Sequence, residues 1–240
     1  PKGRIGLDIY RRNPNVLYAR IEHETESGVY RTDDGGATWR KLSNLNPRPM
    51  YFSQIRVDPQ TDSRVYVLGV QLHVSDDGGR TFGPNVRVDD FPGFERINER
   101  PALAATEEGV VHAVWTDLRA REPDTNIFYA RSTDGGDTFA PAVQLDDSKV
   151  GFDPDTDTPS NQWHPSLVLD RGTLFVAWQD NRLGNNDVFF TTSTDGGTTW
   201  APAERVDDTG SGHSVQTRPR LAVGGRGSRR TCYVAWEDDR

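Results

Sequence analysis

Ser193-Thr194-Asp195-Gly196-Gly197-Thr198-Thr199-Trp200 is one of four copies of a single phrase. The others are Thr32-Asp33-Asp34-Gly35-Gly36-Ala37-Thr38-Trp39, Ser75-Asp76-Asp77-Gly78-Gly79-Arg80-Thr81-Phe82 and Ser132-Thr133-Asp134-Gly135-Gly136-Asp137-Thr138-Phe139. The common pattern is Ser/Thr-x-Asp-x-Gly-x-Thr-aromatic, and the copies start 43, 57 and 61 residues apart. Self-similarity at such a period marks a solenoid or a propeller. Each phrase reads as a tight hairpin turn. The hydroxyl and the carboxylate (Asp34, Asp77, Asp134, Asp195) can hydrogen-bond the turn's own backbone. The second glycine (Gly36, Gly79, Gly136, Gly197) supplies a positive φ that a side chain would penalise. The closing Trp39, Phe82, Phe139 or Trp200 is expected to drop back into the apolar layer beside the hairpin. All these residues are expected to be structural.

Between the phrases the sequence alternates as strands do. Residues 5–11, 16–21, 29–32 and 38–42 give four strands around the first phrase, and 53–58, 64–70, 72–75 and 81–88 four around the second. Residues 101–105, 110–115, 126–132 and 138–145 form a third set, and 165–170, 174–178, 188–193 and 199–206 a fourth. A fifth begins with 219–223 and 232–236. Four-stranded antiparallel units of this size, apolar on both faces, are propeller blades. The expectation is an all-β, single-domain β-propeller, with blades at roughly 1–44, 45–90, 91–147, 148–208 and an incomplete 209–240. Four and a half blades imply an open or truncated ring, cut from a longer propeller or completed by self-association.

The bulk composition excludes several classes. A net charge of −8 with pI ≈ 5.1 leaves no Lys/Arg stripe to track nucleic-acid phosphates. No apolar run reaches the roughly 18 residues of a membrane helix. The single Cys232 excludes an intramolecular disulfide framework. No signal segment is evident, so any targeting sequence was removed or not included. Abundant glycine (23) and proline (15) suit short strands joined by polar turns.

The repeated phrase is identified as the Asp-box, the bacterial neuraminidase repeat of sialidase-like propellers. Three further phrases sharpen the resemblance in residues 83–240. They are Trp115-Thr116-Asp117-Leu118-Arg119, Trp178-Gln179-Asp180-Asn181-Arg182 and Trp236-Glu237-Asp238-Asp239-Arg240, accompanied by the pairs Asp89-Asp90, Asp146-Asp147 and Asp207-Asp208. This part resembles bacterial sialidase-like propellers. Residues 1–82, with Gly3-Arg4-Ile5-Gly6-Leu7-Asp8, Asn13-Pro14-Asn15-Val16-Leu17-Tyr18 and Val57-Asp58-Pro59, look like the sortilin-type and xyloglucanase-like branch. The seam falls near 82–90, which raises a recombined or engineered origin beside a divergent natural one.

Chemistry is expected away from the Asp-box turns, on the longer loops at the other end of the blades. Asp117, Arg119, Asp180, Arg182, Asp238 and Arg240 recur identically in three blades. A catalytic set is asymmetric about one substrate, so these read as structural pairs tying blade to blade. Arg100-Pro101, His164-Pro165 and Arg218-Pro219 open equivalent inner strands towards the central mouth. The sialidase signature that the resemblance implies places Arg two residues before Pro, where this chain has Glu99, Trp163 and Thr217. No Tyr stands beside a Glu in a matching phrase. Arg100, Trp163, His164 and Arg218 remain ligand candidates, the arginines for an anion and Trp163 as a sugar-stacking platform. Asp153, Asp155 and Asp157 alternate in the longest loop as calcium ligands do, although Thr158 and His164 replace the Gly and Glu of an EF-hand loop. A solvated acidic loop is the competing reading, so the expectation is no cofactor, with calcium the alternative.

The resemblance implies a secreted or periplasmic bacterial protein that handles glycans without a demonstrable complete active site. If an enzyme, it would be a glycoside hydrolase of sialidase-like type working through two carboxylates. The alternatives are a sortilin-like propeller that binds a peptide or protein, and a structural propeller with no native activity.

Overall fold

The structure, a computed structural model, describes residues 2–47, 54–69, 71–91, 98–119, 125–146, 160–208, 214–226 and 229–239. The elements are β1 (Lys2–Ile9), β2 (Leu17–His23), β3 (Gly28–Thr32), β4 (Arg40–Ser43), β5 (Gln54–Val57), β6 (Val65–Leu68), β7 (Leu72–Ser75), β8 (Asn98–Ala105), β9 (Val111–Asp117), β10 (Asn126–Ser132), β11 (Val143–Gln144), β12 (Gln162–Asp170), β13 (Thr173–Asp180), β14 (Asp187–Ser193), β15 (Glu204–Arg205), β16 (Gln216–Arg226) and β17 (Arg229–Asp238). Among the described residues there is no helix, and hence none long and apolar enough to cross a membrane. The chain is an all-β propeller. Its antiparallel sheets run β1-β2-β3-β4, β5-β6-β7, β8-β9-β10-β11, β12-β13-β14-β15 and β16-β17.

The chain forms two compact units. Unit 1 comprises Pro1–Asp89, Leu103–Val111 and Arg131–Ala140; unit 2 comprises Asp90–Ala102, His112–Ala130 and Pro141–Arg240. In unit 1 the buried Val16, Tyr18, Val29, Ile55, Val57, Val65 and Val67 form one core, with Tyr10, Leu42, Leu45 and Phe82 packed against it. First strands of successive sheets lie side by side within each unit. In unit 1 the Val57 N–H donates to Asp8 Oδ2 (2.9 Å), the Leu103 N–H to Gln54 Oε1 (3.1 Å), and Arg56 Nε to the Leu103 carbonyl (3.0 Å). In unit 2 the Leu221 N–H donates to Ser166 Oγ at 3.0 Å. Every residue of β9 is buried, as expected of a strand covered on both faces. On β1, by contrast, Ile5, Leu7 and Ile9 are exposed, as is Tyr233 on β17.

The fourth strands are shorter than their alternation suggests. Residues 138–145 and 199–206 reduce to two-residue strands, and 81–88 to the single bridge Leu72↔Val86. The cause is a proline two residues after each Asp-box aromatic, Pro84, Pro141 and Pro202, which has no N–H to donate. Just before it, Gly83, Ala140 and Ala201 each make one 2.9 Å bond back to the third strand, to the carbonyls of Val74, Arg131 and Thr192. The first blade has Lys41 in that place, and its fourth strand runs four residues from Arg40.

Both glycines of every Asp-box have positive φ, from +69° to +100°. In the second, third and fourth copies the second glycine also faces an aromatic ring of the preceding blade. A Cβ at Gly79 would meet Val29 Cγ1 at 3.2 Å and Tyr18 Cε1 at 3.7 Å, and one at Gly136 would meet Tyr66 Cε1 at 3.4 Å. At Gly197 it would land on the Tyr129 hydroxyl, with ring carbon Cε1 at 2.8 Å. These three Asp-boxes are therefore seats for the neighbouring blade as well as turns.

Candidate functional site

Three first strands of unit 2 open in the same unusual way. Arg100, His164 and Arg218 have φ of +53°, +57° and +53°. A left-handed backbone is uncommon for such residues, and the following proline further restricts each of them. Conformations of this kind cost on the order of 1–3 kcal/mol each and cluster at functional sites. In β12 the pairing shifts between Trp163 and Ser166, and in β16 between Thr217 and Arg220, so the X-Pro pair forms a bulge that re-aims its side chain.

His164 Nδ1 lies 3.0 Å from Gln179 Oε1. That acceptor places the ring proton on Nδ1 and leaves the Nε2 lone pair, which is buried and has no partner among the described residues. Burial pushes the His164 pKa below its ordinary value; Gln179 opposes this, and the charges of Arg100, Arg218 and Arg220 push it further down. Arg218 donates to both carboxylate oxygens of Glu237 (3.3 and 3.0 Å), with both side chains more than half exposed. An exposed pair of that kind contributes little stability and is readily exchanged for another anion. Trp163, half-buried, pairs with Gln179 across the sheet as Thr217 pairs with Glu237.

The Trp-x-Asp-x-Arg phrases form self-contained clips. The Asp180 carboxylate accepts from Trp178 Nε1 (2.9 Å), the Arg182 N–H (2.9 Å), Arg182 Nε (2.9 Å) and Arg182 Nη2 (2.6 Å). Asp117 repeats this with Trp115 and Arg119 at 2.6–3.0 Å. The guanidinium of Arg119 lies 4.0 Å over the Phe128 ring, and that of Arg182 4.5 Å over Phe189. A two-residue offset brings the Arg back onto its own Asp, so each of these two phrases closes a carboxylate–guanidinium contact within itself. Arg119 also reaches outside its phrase, to Asp90 Oδ1 at 2.6 Å. Asp238 is exposed, and Arg240 lies outside the described residues.

All four Asp-box carboxylates face their own turn. Asp195 Oδ1 accepts from Ser193 Oγ (2.8 Å) and the Thr199 N–H (2.9 Å), and Oδ2 from Thr199 Oγ1 (2.6 Å). Asp34, Asp77 and Asp134 repeat the pattern. The hydroxyl hydrogen bonds, followed by the backbone N–H, hold all four well below the usual carboxylate range. Trp200 meets Tyr129 edge-on at 5.0 Å, and Phe82 packs on the unit 1 core. Phe139 is half-buried, while Trp39 remains 39% exposed rather than returning to the apolar layer, its Nε1 held instead by the Gly36 carbonyl.

The calcium candidates Asp153, Asp155 and Asp157 lie outside the described residues, and among those described no metal-binding group of side chains gathers. In unit 1 a groove of about 870 Å³ runs between two Asp-boxes, bordered by Asp76, Asp77, Arg87, Asp137 and Phe139. Asp77 is already committed there to its own turn.

Sequence reading placed Arg100, His164 and Arg218 on equivalent positions but missed Gln179 and Glu237, which hold two of them. The available signal was the middle residue of the Trp-x-Asp phrase, which varies (Thr116, Gln179, Glu237) inside an otherwise fixed frame. It also missed a triad in which Arg205 bridges Asp187 (3.0 Å) and Asp207 (2.6 Å). Its counterpart in the third blade keeps one carboxylate and has amides at the other two positions, with Gln144 Nε2 bonding Asn126 Oδ1 (3.0 Å) and Asp146 Oδ1 (2.9 Å).

No protein-family model matches the sequence, and no curated protein matches it. Solved structures do resemble the fold. An α-L-arabinofuranosidase from Fusarium graminearum in complex with an iminosugar inhibitor superposes with a TM-score of 0.64 at 14% identity, over 98% of this chain and 74% of that one. An α-L-arabinanase from Penicillium chrysogenum complexed with arabinobiose gives 0.62 at 16% identity, over 99% and 80%. An endo-arabinase from Bacteroides thetaiotaomicron gives 0.54 at 13% identity, over 99% and 94%. At these identities the likeness is one of fold.

Proposed function

We propose that this chain is a glycan-handling propeller that binds a sugar where the first strands of unit 2 begin, and that it acts as a binding scaffold. The observation that carries this reading is the threefold left-handed residue before proline, which sets Arg100, His164 and Arg218 on successive strands at the cost of backbone strain. Trp163 beside them offers a ring face of the kind that suits a pyranose. The glycoside hydrolases of similar fold, solved with arabinobiose and an iminosugar, support a sugar as the ligand class.

Binding is favoured over hydrolysis by the chemistry of the described residues. Glycoside hydrolysis uses two carboxyl groups about 5–9.5 Å apart. The equivalent positions facing the bulges in the fourth and fifth blades hold one amide, Gln179, and one carboxylate, Glu237. Asp117 and Asp180 are buried and committed to their clips. The Asp-box residues and the Trp-x-Asp-x-Arg clips act in this reading as scaffold. Secretion belongs to the same proposal, as does association between copies through Ile5, Leu7 and Ile9 exposed on β1.

A glycan array, followed by calorimetry on the hits and by fluorogenic arabinofuranoside and sialoside assays, tests the proposal. Binding without turnover is expected. Turnover that survives purification would replace the scaffold reading by a hydrolase, and an array with no hits would remove the glycan reading altogether.

A further inference from the structure

We infer that the guanidinium of Arg20, buried in unit 1 where the sheet β1-β2-β3-β4 faces the sheet β5-β6-β7, is a binding site for a small oxyanion taken up from solution. The site belongs to unit 1 and the proposed sugar site to unit 2, so the two stand or fall separately.

Arg20 occupies a position where the neighbouring blades pack a hydrocarbon. The bond that closes each first hairpin runs from the Tyr10 N–H to the Val16 carbonyl, from Asp58 to Arg64 and from Thr106 to Val110. Four residues further along the second strand stand Arg20, Leu68 and Val114, which are 1%, 3% and 0% exposed. Alternation puts Arg20 on the face of β2 that carries Tyr18. That face looks onto the second sheet, where the Tyr18 hydroxyl donates to the Asp62 carbonyl at 2.6 Å. Across its own sheet Arg20 pairs with Gly6 and Val29, and neither has a polar side chain to offer.

The guanidinium is left unsatisfied. Nε and Nη2 are both buried without a hydrogen-bond partner among the described residues. Buried nitrogens normally have one, and a buried charge with no counter-charge in contact is strongly destabilising. Burial pushes the Arg20 pKa below its ordinary value. Glu22, two residues along β2, opposes that shift, but its carboxylate is not in hydrogen-bond contact with Nε or Nη2.

The two unsatisfied atoms identify the occupant. Nε–H and Nη2–H lie parallel along one edge of the guanidinium, the edge that matches the oxygens of a single carboxylate or phosphate. This chain uses that edge elsewhere. Arg119 grips Asp117 with it at 3.0 and 2.8 Å, Arg182 grips Asp180 at 2.9 and 2.6 Å, and Arg205 grips Asp207 at 2.9 and 2.6 Å. In Arg20 the same edge is presented with no carboxylate of the described residues on it. An oxyanion satisfies both donors at once and neutralises the charge, whereas a halide has no second acceptor atom to offer. With Arg20 only 1% exposed, the seam suits an ion of a few atoms and not a sugar ring. Binding exchanges hydrogen bonds with water for hydrogen bonds with Arg20, and no covalent bond is made or broken.

The test is calorimetry and thermal melting of the whole chain in a chloride buffer, with sodium acetate or sodium sulfate added at constant ionic strength. At least one of the two is expected to bind saturably and to raise Tm as mass action requires, and the preferred one tells a planar carboxylate from a tetrahedral oxyanion. Sulfate also stabilises proteins without a site, so Arg20→Leu, which installs the residue of the second blade, is the reference. It should lose the saturable rise, and in chloride alone it should melt no lower than the unaltered protein, because an uncompensated buried charge has gone. Arg20→Lys keeps the charge without the two-donor edge and should bind about tenfold more weakly or worse. Absence of saturable binding of both anions to the unaltered protein would overturn the inference. So would a rise in Tm that persists undiminished in Arg20→Leu, full affinity in Arg20→Lys, or an Arg20→Leu variant that melts well below the unaltered protein in chloride alone.

Discussion

Replacing Gly197 by alanine should damage this protein far more than the same change one residue earlier. Both glycines sit in the fourth Asp-box with similar backbones, φ +69° at Gly196 and +85° at Gly197. A Cβ at Gly196 meets nothing within 4 Å, so Gly196→Ala incurs only the conformational cost of a left-handed residue, about 1–2 kcal/mol. A Cβ at Gly197 incurs that cost and also lands on the Tyr129 hydroxyl, with Cε1 at 2.8 Å. Inserting a group into a packed contact costs about 1–3 kcal/mol. Tyr129 cannot retreat freely, because its hydroxyl is 2.8 Å from His112 Nδ1 inside the blade and its ring abuts Trp200. Losing that buried hydrogen bond adds about 1 kcal/mol. The expected loss is about 3–6 kcal/mol for Gly197→Ala, which at about 2–4 °C per kcal/mol for a chain of this size is roughly 6–24 °C in Tm. Guanidinium titration and thermal melts of the two variants side by side provide the assay. Combining Gly197→Ala with Tyr129→Phe should give less than the sum of the two single losses, since the residues touch. Equal losses at Gly196 and Gly197, or strict additivity in the double variant, would refute the view that this Asp-box seats the preceding blade.

Asp180→Ala should cost about 3–5 kcal/mol in a denaturant titration, because it removes a buried acceptor shared by the Trp178 N–H, the Arg182 guanidinium and Gln162 Nε2; sugar affinity of the folded variant should be unchanged. Burial and the neighbouring Asp207 raise the pKa of Asp187, so the fold is penalised as pH rises through the carboxylate range into its raised folded value. Asp187→Asn with Arg205→Gln, which installs the two amides of the third blade beside the retained Asp207, should remove that pH dependence while preserving Tm at neutral pH to within a few degrees. The Asp-box carboxylates have the opposite sign: with pKa values depressed in the fold, their contribution is present above the unfolded value near 3.8 and is lost as pH falls towards the folded one. Acid titration of Asp195→Asn beside the unaltered protein should show a smaller loss of stability below pH 4 in the variant.

The repeat made most of the fold legible. Four Asp-boxes fixed where third and fourth strands meet, and alternation located the strands between them, because both signals are local in sequence. What escaped was non-local or depended on a single backbone atom. The missing N–H of Pro84, Pro141 and Pro202 shortened the fourth strands, although the alternating pattern continues through them. The reason for Gly197 was half visible: positive φ is a property of the turn, while Tyr129 arrives from 68 residues earlier in the chain. The candidate site divides in the same way. Arg100, His164 and Arg218 could be aligned by their prolines, but their left-handed backbone and the grip of Gln179 and Glu237 come from the sheet bulge and the neighbouring strand. The recurrence of the Asp–Arg pairs was visible in the sequence, but the local closure of Asp117 with Arg119 and of Asp180 with Arg182 depends on the turn that follows each second strand.

Crystals soaked in turn with arabinobiose and sodium glucuronate test the central claim most directly. The expected result is sugar density against Arg100, His164 and Arg218, with the pyranose or furanose ring close to Trp163 and the Asp-box turns unoccupied. Density in the unit 1 groove beside Asp76 and Asp137, with the unit 2 strand ends empty, would contradict it.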